Sequence, residues 1–253
     1  MRIYSNAHDL MSEMGRELNS YGAIVKPKHY QNKCIEGNND FITKEIICQQ
    51  YCLTKLPDPE WLFVYTKAKD WADAEFKERV GEDPFFNPGE AWKLRKDLWE
   101  QFLNKNGHFD YTYNERMNYM GCYKGRYSSY LETIIELLRD DQNTRKAVLS
   151  IFDPEIDSLR LEGQARIPCS MYYDFLIRWS PKGEKVLHIC YHQRSSDFVQ
   201  HFGNDVYLAW RLMEYVAKEI NILPGYLYHT IDSLHAYKKD WNILSSNIDH
   251  CLQ

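Results

Sequence analysis

Residues 206–220 place Ala209, Leu212, Met213, Val216, Ala217 and Ile220 at helical spacing, which makes one continuous apolar stripe. A stripe of that length must be covered by another layer of structure. Leu223-Pro224-Gly225 stops the helix, and Tyr226–Thr230 reads as a strand after it. Upstream, Ala147–Phe152, Met171–Trp179 and Val186–His192 read as strands, the last two joined by a hairpin loop over Ser180-Pro181-Lys182-Gly183-Glu184-Lys185. Residues 5–19 spell a helix with Leu10, Met11, Met14 and Leu18 on one face. Residues 128–139 spell another, with Tyr130, Ile134, Ile135 and Leu138 in register. The Trp-rich stretch 61–103 predicts two helical pieces, interrupted by Pro84, Pro88 and Gly89, with Leu94, Leu98, Trp99 and Phe102 sharing a face of the second. Residues 20–60 give no clear pattern. With no repeat or linker in view, residues 1–253 are expected to form one α+β domain.

A net charge of −5 argues against a nucleic-acid partner but leaves room for a small phosphorylated ligand in a local basic pocket. No apolar run reaches membrane-spanning length, and no secretory leader is visible. Cys34, Cys48, Cys52, Cys122, Cys169, Cys190 and Cys251 are odd in number and irregularly spaced, so reduced thiols and a cytoplasmic location are expected, without a zinc site.

The chemistry-bearing residues concentrate between Thr144 and Tyr237, in four clusters: Thr144-Arg145-Lys146, Pro168-Cys169, Gln193-Arg194-Ser195-Ser196-Asp197 and Ser233-Leu234-His235-Ala236-Tyr237. In this order they resemble the thymidylate synthase superfamily, which carries an Arg pair, a Pro-Cys nucleophile, Gln-Arg-Ser-x-Asp and His-x-Tyr. The resemblance implies a mixed sheet flanked by helices, and a homodimer formed through that sheet. It implies a pyrimidine deoxynucleotide monophosphate as substrate and 5,10-methylenetetrahydrofolate as one-carbon donor. Cys169 would add to carbon 6 of the ring and so make carbon 5 nucleophilic. Arg194 and Ser195 would hold the phosphate, Arg194 also favouring the thiolate. Arg145 would reach the partner's phosphate, with Lys146 in place of the second Arg. His235 and Tyr237 would hold the sugar, and Asp197 and Tyr113 would line the nucleotide and folate sites. Glu75 is the expected general acid/base, with Glu78 as its rival.

In synthases, an Asn eight residues after the motif Asp reads uracil. Eight residues after Asp197 stands Asp205, preceded by Asn204. A protonated carboxyl matches the acceptor N3 and donor N4 of cytosine, and a carboxylate pairs with N3-protonated cytosine. An Asp here, with the Ser-Leu-His-x-Tyr form of the last motif, resembles the phage deoxycytidylate hydroxymethylases of that superfamily. Three alternatives stay open. Asp205 caps the helix that follows it; Asn204 reads uracil instead, giving a deoxyuridylate enzyme; or the chain is an inactive nucleotide-binding relative. Departures from the family are Ser170 (usually His), Asn114 and Asp232 (usually Gly), and no visible N-terminal phosphate-binding Arg, for which Lys28 or Lys33 is the nearest substitute. The final His250-Cys251-Leu252-Gln253 lacks the small apolar tail with which synthases close over their ligands.

Overall fold

The computed structural model describes residues 1–81, 87–118, 120–123, 126–158, 165–180 and 182–244, with backbone alone over 120–123 and 126–128. Pro84, Pro181 and the segment His250–Gln253, Cys251 included, lie outside the described residues, as does the side chain of Cys122.

The strands run β1 (Arg2–Tyr4), β2 (Ala23–Val25), β3 (His29–Tyr30), β4 (Lys33–Cys34), β5 (Thr43–Leu53), β6 (Met120–Tyr123), β7 (Arg126–Ser129), β8 (Val148–Ser150), β9 (Ser170–Trp179), β10 (Lys185–Gln193), β11 (Ser196–Asp197) and β12 (Leu223–Tyr237). The helices are α1 (Ala7–Tyr21), α2 (Lys69–Arg79), α3 (Lys96–Trp99), α4 (Tyr113–Asn118), α5 (Tyr130–Asp140), α6 (Gly203–Glu219) and α7 (Trp241–Leu244). The main sheet is mixed, in the order β1-β5-β12-β10-β9-β8, with β2 on β5 and β11 on β12. β3–β4 and β6–β7 are separate hairpins.

Alternation decides which face of the sheet is buried. Tyr173, Phe175 and Ile177 of β9, Leu187, Ile189 and Tyr191 of β10, and Leu227 and Ile231 of β12 point into the core. There they meet Leu10, Met14 and Leu18 of α1 and Leu212, Met213 and Val216 of α6. Each such side chain contributes roughly 1.5–3 kcal/mol by leaving water. The residues between them, including Tyr172, His188, Cys190, His192, Tyr226 and Tyr228, face outward and keep part of their surface. Local signals set the helix starts. Asn6 accepts the Asp9 amide at 2.8 Å ahead of α1, and Ser129 and Glu132 form a reciprocal capping box ahead of α5.

Several sequence expectations are corrected. Residues 91–102 are not one amphipathic helix but α3 between two 3₁₀ turns, and Leu94 is 59% exposed. In α5, Tyr130 is exposed while Ile134, Ile135 and Leu138 are buried. The strand expected at 226–230 extends over 15 residues and carries the His-x-Tyr motif. Asp205 is not a helix cap. α6 begins at Gly203, and the Asp205 carboxyl bonds outside its own helix. The capping Asp is Asp197, whose Oδ1 accepts the Val199 and Gln200 amides at 3.1 and 3.2 Å and starts the π-helical turn Phe198–Phe202.

That turn drives α6 against the carbonyl of Leu62. A Cβ on Gly203 would lie 1.8 Å from the Leu62 oxygen, and both groups are backbone, so neither can yield cheaply. Gly203→Ala is therefore expected to destabilise the fold by about 3 kcal/mol. A denaturant melt that leaves the midpoint unmoved would contradict this.

Candidate active site

The sheet brings the sequence clusters to one end. β9 starts where its antiparallel partner β10 finishes, pairing Ser170 with Gln193. β12 runs parallel to β10 and continues past it, pairing Leu234 and His235 with Ser196 and Asp197 of β11. Cys169 therefore sits directly beside Arg194, whose amide donates to the Cys169 carbonyl at 2.9 Å. The two sequence neighbourhoods are adjacent because of register, not because of loops.

A cavity of 470 Å³ opens at this end. Cys169, Arg194, Ser195, Asp197, Asp205, His235, Tyr237, Tyr113 and both Glu75 and Glu78 line it. The volume suits a small-molecule pocket. The Cys169 sulfur is half-buried, and two donors approach it at 3.9 Å, Nη2 of Arg194 and Nε2 of Gln31. Arg194 is itself fixed, its Nε donating to the Pro168 carbonyl at 2.8 Å and its Nη2 to that of Ile167 at 3.1 Å. The guanidinium is thus held beside the sulfur by the backbone that carries the thiol.

Behind Cys169, Ser170 is fully buried and its hydroxyl lies 2.6 Å from the Tyr191 hydroxyl and 3.1 Å from that of Tyr113. The Arg79 guanidinium covers the Tyr113 ring at 3.9 Å and pairs with Glu75 at 2.8 Å. Glu75 and Glu78 therefore differ in employment. Glu78 accepts the amides of Glu90 and Ala91, both at 2.7 Å, and pins the turn after Pro88. Burial raises its carboxyl above the usual range against those two donors. Among the described residues Glu75 has only its ion pair with Arg79, and it lines the cavity.

Asp205 accepts Nε2 of Gln193 at 2.9 Å and the Ser196 hydroxyl at 3.1 Å, both on Oδ2. Burial pushes its carboxyl up to about 6 in spite of those bonds and of Arg79. Burial likewise pushes Asp197 up to about 6. His235 stays in the neutral direction, its pKa lowered by burial, and meets the Tyr237 ring edge-on at 5.2 Å.

Other predicted residues lie elsewhere. Asn204 is 1% exposed, donates to the Gln200 carbonyl at 3.1 Å and is not among the residues that line the cavity. Arg145 and Lys146 are exposed and outside this chain's own cavity. Lys28 pairs with Glu36 at 3.4 Å and Lys33 donates to Gln101 at 2.7 Å; neither lines the cavity. The N-terminal segment contributes Gln31 instead, held in a left-handed conformation at φ 55°. Arg79, Arg166 and His201 also line the cavity and had no sequence signal: Arg79 is remote from the motifs, while Arg166 and His201 lie near Cys169 and Asp197 but belong to no motif. The Arg166 guanidinium sits 4.5 Å from the Phe102 ring centroid and 5.1 Å from that of Trp99.

Residues 90–251 match the profile of the family described as thymidylate synthase. The chain belongs to the thymidylate synthase family. The protein named "Putative thymidylate synthase" in Methanococcoides burtonii is 29% identical over 170 residues, 64% of this chain and 72% of that one. A protein of the same name in Methanosarcina mazei is 30% identical over 138 residues, 54% of this chain and 58% of that one. The solved structure of the thermostable thymidylate synthase A from Bacillus subtilis superposes with a TM-score of 0.72 at 15% identity, covering 97% of this chain and 84% of that one. That likeness establishes the fold, the mixed sheet flanked by helices expected above. Membership in the thymidylate synthase family places the chain among enzymes that transfer one-carbon units to carbon 5 of a pyrimidine nucleotide, with methylenetetrahydrofolate as co-substrate. Among the described residues no helix is long and apolar enough to cross a membrane, and no cluster of metal-ligating side chains occurs.

Proposed function

We propose that this thymidylate synthase family member hydroxymethylates carbon 5 of dCMP. The observation that carries the reading is Asp205. It lines the cavity at the position where synthases read uracil with Asn, and burial holds its carboxyl near neutrality, at about 6. Both hydrogen bonds it accepts fall on Oδ2, which leaves Oδ1 to carry a proton toward N3 of cytosine. Uracil offers N3–H at that place and would confront the Oδ1–H donor with another donor.

In this reading Cys169 adds to carbon 6, with Arg194 beside the sulfur holding the thiolate and sharing the phosphate with Ser195. Bonding at carbon 6 moves electron density to carbon 5, which attacks the one-carbon unit. Methylenetetrahydrofolate, when bound, supplies that carbon. Glu75 takes the carbon 5 proton, its own charge steadied by Arg79. Loss of the Cys169 sulfur restores the ring, and addition of water completes the balance: dCMP, donor and water give 5-hydroxymethyl-dCMP and tetrahydrofolate. The cavity wall suits a flat heterocyclic donor. Trp92 and Trp99 line it, and the indole N–H of each is buried with no hydrogen-bond partner among the described residues. His235 and Tyr237 stand where they can hold the sugar hydroxyl.

A second copy packing on the open sheet face accounts for two further observations. Tyr172, His188, Tyr226 and Tyr228 leave that face uncovered by helices, and Arg145 with Lys146 projects away from this chain's own cavity. In such a dimer Arg145 would meet the partner's phosphate.

Incubating dCMP and dUMP separately with methylenetetrahydrofolate, followed by mass analysis, tests the reaction. A gain of CH₂O on dCMP alone is expected. A methyl or hydroxymethyl product from dUMP alone would replace the cytosine reading.

A further inference from the structure

Gln193 is fully buried and holds the base-reading carboxylate from one side, yet its other end is not idle. Its Oε1 lies 2.9 Å from Nε2 of His229, and Nδ1 of His229 lies 2.7 Å from the Tyr51 hydroxyl. Tyr51, His229 and Gln193 are each at most 1% exposed. They come from β5, β12 and β10, three adjacent strands. The motifs and the mechanism above use neither Tyr51 nor His229.

The direction of this chain is determined by chemistry. The His229 ring is stacked on Tyr191 at 4.4 Å and parallel to Phe202 at 6.3 Å, and burial lowers its pKa to about 3, so it is neutral and carries one N–H. Gln193 must present its NH₂ to Asp205, because Oδ2 of an ionised carboxylate only accepts. Its Oε1 then faces His229 and needs a donor, which puts the imidazole proton on Nε2. Nδ1 is left as the acceptor of a hydrogen bond from the Tyr51 hydroxyl. Every donor points toward Asp205, in the order Tyr51, His229, Gln193, Asp205. With the Ser196 hydroxyl also on Oδ2, both lone pairs of that oxygen are filled.

We propose that Tyr51 and His229 are positioning residues that act through Gln193 to keep Oδ2 of Asp205 occupied, so that Oδ1 alone exchanges a proton with the edge of the pyrimidine. The link to the pyrimidine rests on the cytosine reading above; the orientation of the carboxyl does not. Without the relay the Gln193 amide is free to rotate, Oδ2 loses a donor, and the proton is shared between the two oxygens. The charge on Asp205 then costs more, because the bond from Gln193 is one of the interactions that favour the ionised form. The other groups facing Asp205 are Arg79 from α2, Arg95, Asp197, and the hydroxyls of Tyr51, Tyr173 and Tyr191. Of these, the substitutions below alter only Tyr51.

The test is a carboxyl ¹³C titration of Asp-labelled full-length protein, free of ligand, beside dCMP and dUMP binding across the same pH range. Tyr51→Phe removes one oxygen and His229→Leu removes the relay, while His229→Gln restores a donor toward Gln193. The Asp205 midpoint should rise by about half a unit in Tyr51→Phe and about one unit in His229→Leu, and fall back toward wild type in His229→Gln. The midpoint for dCMP binding should move with it. If His229→Leu does not fold, the single-atom change at Tyr51 still decides. An unmoved Asp205 titration in folded variants overturns the relay. Wild-type preference for dUMP would instead overturn the cytosine reading, and the carboxyl titration would still judge the relay by itself.

Discussion

Cys169→Ala is expected to reduce release of tritium from carbon 5 of the nucleotide by at least about 10⁴-fold while leaving nucleotide binding within a few-fold. The reason is division of labour. Arg194 is fixed by the carbonyls of Ile167 and Pro168 and not by the sulfur, so the binding guanidinium should stay in place when the sulfur is removed. Cys169 is only half-buried, so the fold should not notice the loss. What disappears is the bond to carbon 6, without which carbon 5 has no electron density to offer. Tritium release and equilibrium binding measured on the same preparation separate the two effects. A variant that still releases tritium at near wild-type rate would assign the nucleophile elsewhere.

The second large effect is on substrate choice. Asp205→Asn should shift the ratio of kcat/KM for dCMP over dUMP by about 10³-fold toward dUMP, since a buried site rejects a ligand that leaves its polar groups unpaired. The amide cannot titrate, and this gives a second signature. In the wild type the form that recognises cytosine is protonated, and the carboxyl midpoint is about 6. Above that pH the protonated fraction falls tenfold per unit, so dCMP affinity should weaken with rising pH and binding should take up a proton. Below it the affinity should level off. Asp205→Asn should flatten this limb of the profile. Calorimetry in buffers of different ionisation enthalpy measures the proton directly. Pairing that is independent of pH between 6 and 8 in the wild type would remove Asp205 from the reading of the base.

The C-terminal half of the chain was legible because its signals are local. The stripe at 206–220, the hairpin at 180–185 and the strands around it carry their own periodicity, and α6, β9 and β10 lie there. β5 was invisible for a physical reason. Its buried residues do not alternate, Cys48 sits within it at φ 57°, and Lys44, Glu45, Gln49 and Gln50 give it a polar look although it lies between β1 and β12 in the sheet. The motif spacing put Cys169, Arg194, Asp205 and His235 on one cavity, and register explains why. Asp205 as a helix cap was a fair reading of an acid before an apolar run, but the cap of the preceding turn, Asp197, starts the helical path five residues earlier than α6 itself. Gln31, Arg79 and the Tyr51–His229 pair lay beyond sequence reasoning. Apart from Glu75, one turn before Arg79, their partners lie far away in the chain, and nothing in their neighbourhoods differs from ordinary core or loop.

The central claim is a covalent bond between one sulfur and carbon 6 of a pyrimidine, and mass spectrometry of a trapped complex tests it most directly. A fluorine at carbon 5 cannot leave as the proton does, so 5-fluoro-dCMP with methylenetetrahydrofolate should stop the reaction with nucleotide and donor both attached. The predicted result is that added mass on the peptide bearing Cys169. Turnover of dCMP by a preparation in which no fluoronucleotide attaches to Cys169 would contradict the account.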